Sequence, residues 1–160
     1  MVRTRQQGLS LVEILVVLAI IALLGLVAVP FTSTWIDESR VAEGTSIVKR
    51  VVSKAQATAL RNPEGVIGSE PAAGIKRVGA LLLVCSGDPS LSVCSDGGSA
   101  MVWREEIPDG VSITLAGNSI STLDVSNQGR LLDGFGRVRS YAYAVSRGGV
   151  TDNDANNVLY

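Results

Sequence analysis

The feature that most constrains this chain lies at its N-terminus. From Ile14 to Val29 every residue is apolar or glycine, and Pro30 ends the run. Counted from Leu9, the stretch is long enough to span a bilayer core of ~30 Å, which needs roughly 20 helical residues. Arg3 and Arg5 stand in front of it. The positive-inside rule then puts the N-terminus in the cytoplasm and the bulk of the chain on the far side. A secretory signal would have a shorter apolar region, with small residues at a cleavage site behind it. This segment has no A-x-A-like end, and Gly8 precedes it. A plain signal anchor fits the length and the charges but leaves Glu13 without a purpose. A carboxylate in an apolar segment costs about 2.5–3.5 kcal/mol on insertion scales and calls for a partner.

The rest of the composition excludes more than it selects. Fourteen basic residues nearly cancel fifteen acidic ones, so no global field holds nucleic acid or an acidic surface. The chain has no histidine. It therefore lacks the commonest general base and the commonest metal ligand. Ser, Asp and Lys occur, but no nucleophile, base and orienting group form a recognisable motif, and nothing points to an enzyme, a cofactor or a metal centre. The two cysteines, Cys85 and Cys94, match neither a CxxC redox pair nor a zinc set. Behind a membrane-targeting segment, an even count suggests one disulfide in an oxidising compartment. Its role would be to stiffen a surface loop, and the alternative is two reduced, unrelated thiols.

Pro30 lacks an amide hydrogen, which predicts a kink or interruption there. Residues 31–61 read as an amphipathic helix. Val41, Ile47, Val48, Val51, Val52, Ala55, Ala59 and Leu60 recur at helical spacing, and Asn62-Pro63 closes the helix. Residues 65–79, rich in Gly, Pro and Ala, read as a loop or a short edge hairpin. Strands are expected at 80–85, 100–104, 111–115, 121–125, 139–145 and 158–160, separated by Asp-Gly, Gly-Asn and Asn-Gln-Gly turns. One helix followed by an antiparallel meander is an α+β arrangement.

The octapeptide Gly8-Leu9-Ser10-Leu11-Val12-Glu13-Ile14-Leu15, behind its short basic leader, resembles the type IV prepilin signature. The resemblance implies that a prepilin peptidase cuts between Gly8 and Leu9 and that Leu9 is then methylated. It makes Glu13 the acid of the motif, which governs assembly. The family usually has Phe after the cut, where this chain has Leu9. The resemblance further implies a pilin fold: a leader at 1–8, a transmembrane and assembly helix at 9–30, and a soluble domain at 31–160, with its sheet at 75–160. The expected partners are other pilin or pseudopilin subunits and the inner membrane before assembly. The expected location is the inner membrane, single-pass with the soluble domain in the periplasm, and then a pseudopilus or an extracellular pilus.

The region from Lys54 through the cysteine loop to Trp103 is similar to the branch of minor pilins and H-type pseudopilins, which initiate or cap filaments. Some relatives in that branch bind DNA through a Gly-Arg-x-Arg segment. Here Gly136-Arg137-Val138-Arg139 matches it. Arg137 and Arg139, at alternate positions of a strand, would share a face, and Arg147 would extend the patch. The competing reading is a strand edge with solvated arginines, close to Asp133. Asp152, Asn153 and Asp154 offer oxygens to calcium but lack the spacing of an EF-hand; a solvated turn is the other reading.

Overall fold

The computed structural model describes residues 10–152 and 157–160, and within them the side chains of all but 27–32. The chain divides into two compact units, Met1–Ile36 and Asp37–Tyr160. Among the described residues there is one helix, α1 (Leu11–Arg61), which runs without a break through position 30. The interruption expected at Pro30 is therefore absent. A proline removes one amide donor, and the turns on either side keep theirs.

In the first unit, Ser10 caps α1. Its Oγ accepts the Glu13 N–H at 3.2 Å. Its carbonyl accepts the N–H groups of Glu13 and Ile14 at 3.1 and 3.2 Å. This is one half of a capping box, with Glu13 at the third helical position. From Leu11 to Leu26 every side chain is exposed, Leu11 at 77% and Leu26 at 75%. Among the described residues no helix is long and apolar enough to cross a membrane. The apolar run with described side chains stops at Leu26, after about 24 Å of helix at 1.5 Å per residue.

In the second unit, α1 turns one stripe inward. Val41, Ile47, Val48, Val51, Val52, Ala55 and Ala59 are buried, as their spacing predicts, but Leu60 is 62% exposed. Position 60 lies a step of about 100° around the helix from the buried Ala59. Asn62 ends α1 in the left-handed conformation, φ 43°. Its N–H donates to the Thr58 and Ala59 carbonyls, and its side chain exchanges two bonds with the backbone of Val66. This is a C-terminal cap.

Among the described residues ten strands follow: β1 (Ala73–Val78), β2 (Leu81–Ser86), β3 (Met101–Glu106), β4 (Ser112–Leu115), β5 (Asn118–Ser119), β6 (Thr122–Val125), β7 (Leu131–Leu132), β8 (Tyr141–Arg147), β9 (Val150–Asp152) and β10 (Val158–Leu159). They form two five-stranded antiparallel sheets. One runs β3-β2-β1-β6-β7; the other runs β10-β8-β4-β5, with β9 also on β8. The α+β expectation holds, with two sheets in place of one meander.

Strand alternation sorts the first sheet into two faces. Ala73, Ile75, Leu82 and Val84 share one core with the α1 stripe and with Ile113, Leu115, Tyr143 and Val145 of the second sheet. Leu83 and Cys85, on the opposite face, form a second cluster with Cys94 and Ala100. Strand β2 is covered on both sides, which is why it reads as the unbroken run Leu-Leu-Leu-Val-Cys.

The segment expected to be a loop or edge hairpin contains β1, and β1 lies at the centre of the first sheet. Its small residues are there for close packing. A Cβ on Gly74 would collide with the ring of Pro89 and lie 2.9 Å from the Leu123 carbonyl oxygen. Gly44 plays the same part for α1. A Cβ there would stand 2.8 Å from a Val145 methyl and 3.0 Å from a Val111 methyl, so the helix reaches the second sheet only without one.

Candidate functional site

The N-terminal signature is built around the start of α1. Ser10 fixes where the helix begins, and Glu13 therefore occupies its first turn. A carboxylate there is favoured by the helix dipole. Glu13 is exposed, so its charge faces outward, away from any partner within the described chain. Gly8 and Leu9, the expected cleavage and methylation positions, lie outside the described residues, as do Arg3 and Arg5. A cut at Gly8-Leu9 creates an amine one residue before the cap. A positive amine at a helix N-terminus opposes the dipole, and Glu13 is an anion within the same first turn. Ser10 is a functional residue that spacing could have found: Ser-x-x-Glu before an apolar run is a helix-start signal.

The Gly-Arg segment forms a tight loop after β7. The Asp133 carboxylate accepts the N–H groups of Phe135 and Arg137, each at 2.9 Å. The Asp133 N–H donates to the Arg137 carbonyl at 2.8 Å. The backbone bond from Arg137 is the main cause that holds the Asp133 carboxyl below its ordinary range, opposed by desolvation and aided by the Phe135 N–H and by Arg139 and Arg137. Arg139 ion-pairs with Asp133 at 3.5 Å, while Arg137 stacks over the Phe135 ring at 5.9 Å. The two arginines flank an isolated bridge, Leu132 to Val138, and do not sit in a regular strand. They have different partners. Arg147 is elsewhere, in β8, paired with Asp37 at 3.1 Å. Phe135, 84% exposed, went unnoticed in the sequence because a lone aromatic in a glycine loop has no periodicity.

Cys85 and Cys94 are joined in a disulfide. The loop they close lies over the outer face of β2, with both cysteines fully buried. Pro89, also fully buried, seats the loop above Gly74.

Of the residues considered for calcium, Asp152 accepts from Thr45 Oγ1 at 2.7 Å and from Asn157 Nδ2 at 2.8 Å. Asn153 and Asp154 lie outside the described residues. Among the described residues no three His, Cys, Asp or Glu side chains gather as a metal site.

Compared with known proteins, residues 3–29 match the family described as the prokaryotic N-terminal methylation motif. No curated protein and no solved structure matches the chain. The match covers the basic leader, the glycine, the acid and the apolar helix together, and these are the residues in which the capped helix start and the exposed apolar run were found. Residues 3–29 are a type IV pilin-like prepilin signal, carried in front of an α+β body that has a long N-terminal helix and antiparallel sheets.

Proposed function

We propose that this chain is a structural subunit of a pilin-like filament: a minor pilin or pseudopilin that initiates or caps a type IV pilus or a type II secretion pseudopilus. A prepilin peptidase cuts between Gly8 and Leu9 and methylates Leu9. Before assembly the first helix crosses the inner membrane once, with residues 31–160 on the periplasmic side. In the filament the apolar helices of neighbouring subunits cover one another. The Glu13 carboxylate pairs with a Leu9 amine, its own or a neighbour's. A buried charge left alone is costly and a buried pair is tolerable, so the pairing selects axial register more than it adds stability.

The observation that carries this reading is the run from Leu11 to Leu26. Every side chain in it is exposed, and it begins at a capped helix start with an acid in the first turn. A surface this apolar needs a covering that the described chain does not supply. The test uses Glu13→Gln and Glu13→Ala, expressed with the other subunits of the filament. Both variants are expected to be cut and retained in membranes but lost from sheared filaments. Normal incorporation of both refutes the role of Glu13.

A second reading, DNA binding for natural transformation, is favoured by one observation, the Phe135 ring stacked against Arg137 at an exposed loop tip. An aromatic face and a phosphate-binding cation together suit a flexible strand. Arg139 would contribute from its pairing with Asp133. Gel shifts at low salt, wild type against Arg137→Ala/Arg139→Ala, decide it. Absence of a shift with the wild type removes this reading.

A further inference from the structure

Beside α1 lies a groove of about 460 Å³, lined by Lys49, Arg50, Ser53, Lys54, Ala57 and Trp103. Its far wall is β3, the edge strand of the first sheet. Lys54 Nζ stands 5.0 Å from the centre of the Trp103 ring. Arg50 is neutralised by Glu105, which also accepts the Trp103 Nε1–H at 3.1 Å. Lys49 and Lys54 have no carboxylate partner among the described residues, so the groove is cationic with an aromatic wall. Trp103 is 42% exposed and its neighbour Val102 is 46% exposed.

The opposite face of the same sheet carries a surface of matching chemistry. There the disulfide-closed loop presents Leu91 and Val93, 53% and 46% exposed. Around them stand Glu64, Glu70 and Asp88, none ion-paired among the described residues. Glu64 accepts a hydrogen bond from Ser86 Oγ, and Asp88 accepts the Ser90 N–H. One cation, Lys76, reaches the Leu91 carbonyl. Counting Lys49, Arg50 and Lys54 against Glu105 leaves the groove at plus two. Counting Glu64, Glu70 and Asp88 against Lys76 leaves the loop face at minus two. The loop is held by its disulfide and by Pro89 packed above Gly74, so it reaches a partner already ordered.

We infer that the disulfide loop of one copy of this chain docks into the Lys49–Lys54–Trp103 groove of the next, with Leu91 and Val93 against Trp103 and the loop-face carboxylates against Lys49 and Lys54. Because the two surfaces lie on opposite faces of one sheet, the contact is heterologous, and a heterologous contact that does not close on itself extends into a filament. The inference deepens the filament reading, on which it rests for the setting in which copies meet. It adds that copies of this chain occupy adjacent positions. An initiating role needs one such contact; a repeating role needs many.

The test is photo-cross-linking of the full chain, co-expressed in two differently tagged copies, with a photoreactive amino acid at position 91. The expected product joins position 91 of one copy to the peptide containing Lys49 and Lys54, or to that containing Trp103, of the other. Lys49→Glu/Lys54→Glu should lower its yield about ten-fold or more, as juxtaposed like charges do. Glu70→Lys/Asp88→Lys should lower it similarly, and combining the two reversals across the two copies should restore it. A cross-link to another protein in place of the second copy overturns the inference, as does a combined reversal with no recovery. The N-terminal residue is read on the same sample. A chain that begins at Leu9 and fails to cross-link sinks the docking alone. A chain that keeps Met1 yet cross-links sinks the prepilin reading alone.

Discussion

The two units of this molecule satisfy their apolar residues in opposite ways. Between Asp37 and Tyr160 the large aliphatic residues of α1, β2, β4 and β8 close on one another, with Leu82, Val51, Ile113 and Val145 at 1% exposure or less. Between Leu11 and Leu26 residues of the same kind stay exposed and close on nothing among the described residues. The aliphatic residue types are the same, and the outcome differs because of how they are placed along the chain. In the second unit apolar residues recur on one stripe of α1 and alternate in the strands, so each has a complementary face to meet. In the first unit they surround the helix, and a helix apolar on all sides is stable only inside something else. The second unit is therefore a fold, and the first is a surface that awaits a partner.

That contrast can be broken by substitution. The largest expected effect is on the closed core: Leu82→Ala should lower unfolding free energy by about 2–5 kcal/mol, measured by denaturant melts of the full chain in detergent. Leu18→Ala in the open helix should leave that transition where it is. Equal effects at the two positions would mean that the first unit shares the core. Next is the disulfide. Cys85→Ser/Cys94→Ser should destabilise by about 2–3 kcal/mol, the amount set by a loop this short. Since Cys85, Cys94, Leu83 and Ala100 form a cluster apart from the main core, hydrogen exchange should rise first around 86–100.

Gly74→Ala should cost about 1–3 kcal/mol, because the added carbon overpacks the site beneath Pro89. An unchanged melt would show that the loop is free to lift from the sheet. The smallest effect is electrostatic. Half-burial, and secondarily the charge of Asp88, raise the Asp124 carboxyl above its ordinary value. A carboxyl with a raised folded-state pKa stabilises the fold fully below its unfolded value and loses that contribution as pH rises through the folded one. Asp124→Asn should therefore stabilise the protein at neutral pH, and the advantage should disappear in acid. An advantage that persists in acid would point to a cause other than charge.

How much of this was legible in the sequence varies with the range of the interaction. The prepilin signature and the inward stripe of α1 are local patterns, so the motif over residues 3–29 and the buried run Val41–Ala59 read directly. Asn62-Pro63 marked the helix end for the same reason. Strand β1 did not read, because Ala72, Ala73 and Gly74 resemble loop chemistry until Pro89 and Leu123 are seen to crowd Gly74. The pairing that engages Arg139 with Asp133 and Arg137 with Phe135 depends on a five-residue loop conformation, and alternation along the chain does not express it. The groove at Trp103 joins a helix to a strand far along the sequence, which no spacing rule anticipates.

The central claim is that Leu9 becomes the first residue of the working protein. Mass spectrometry of the chain extracted from membranes of cells with an active prepilin peptidase tests it. The account requires a chain that starts at Leu9 and bears one added methyl group on its amine. An unprocessed terminus starting at Met1 contradicts it and leaves a tethered domain with no route into a filament.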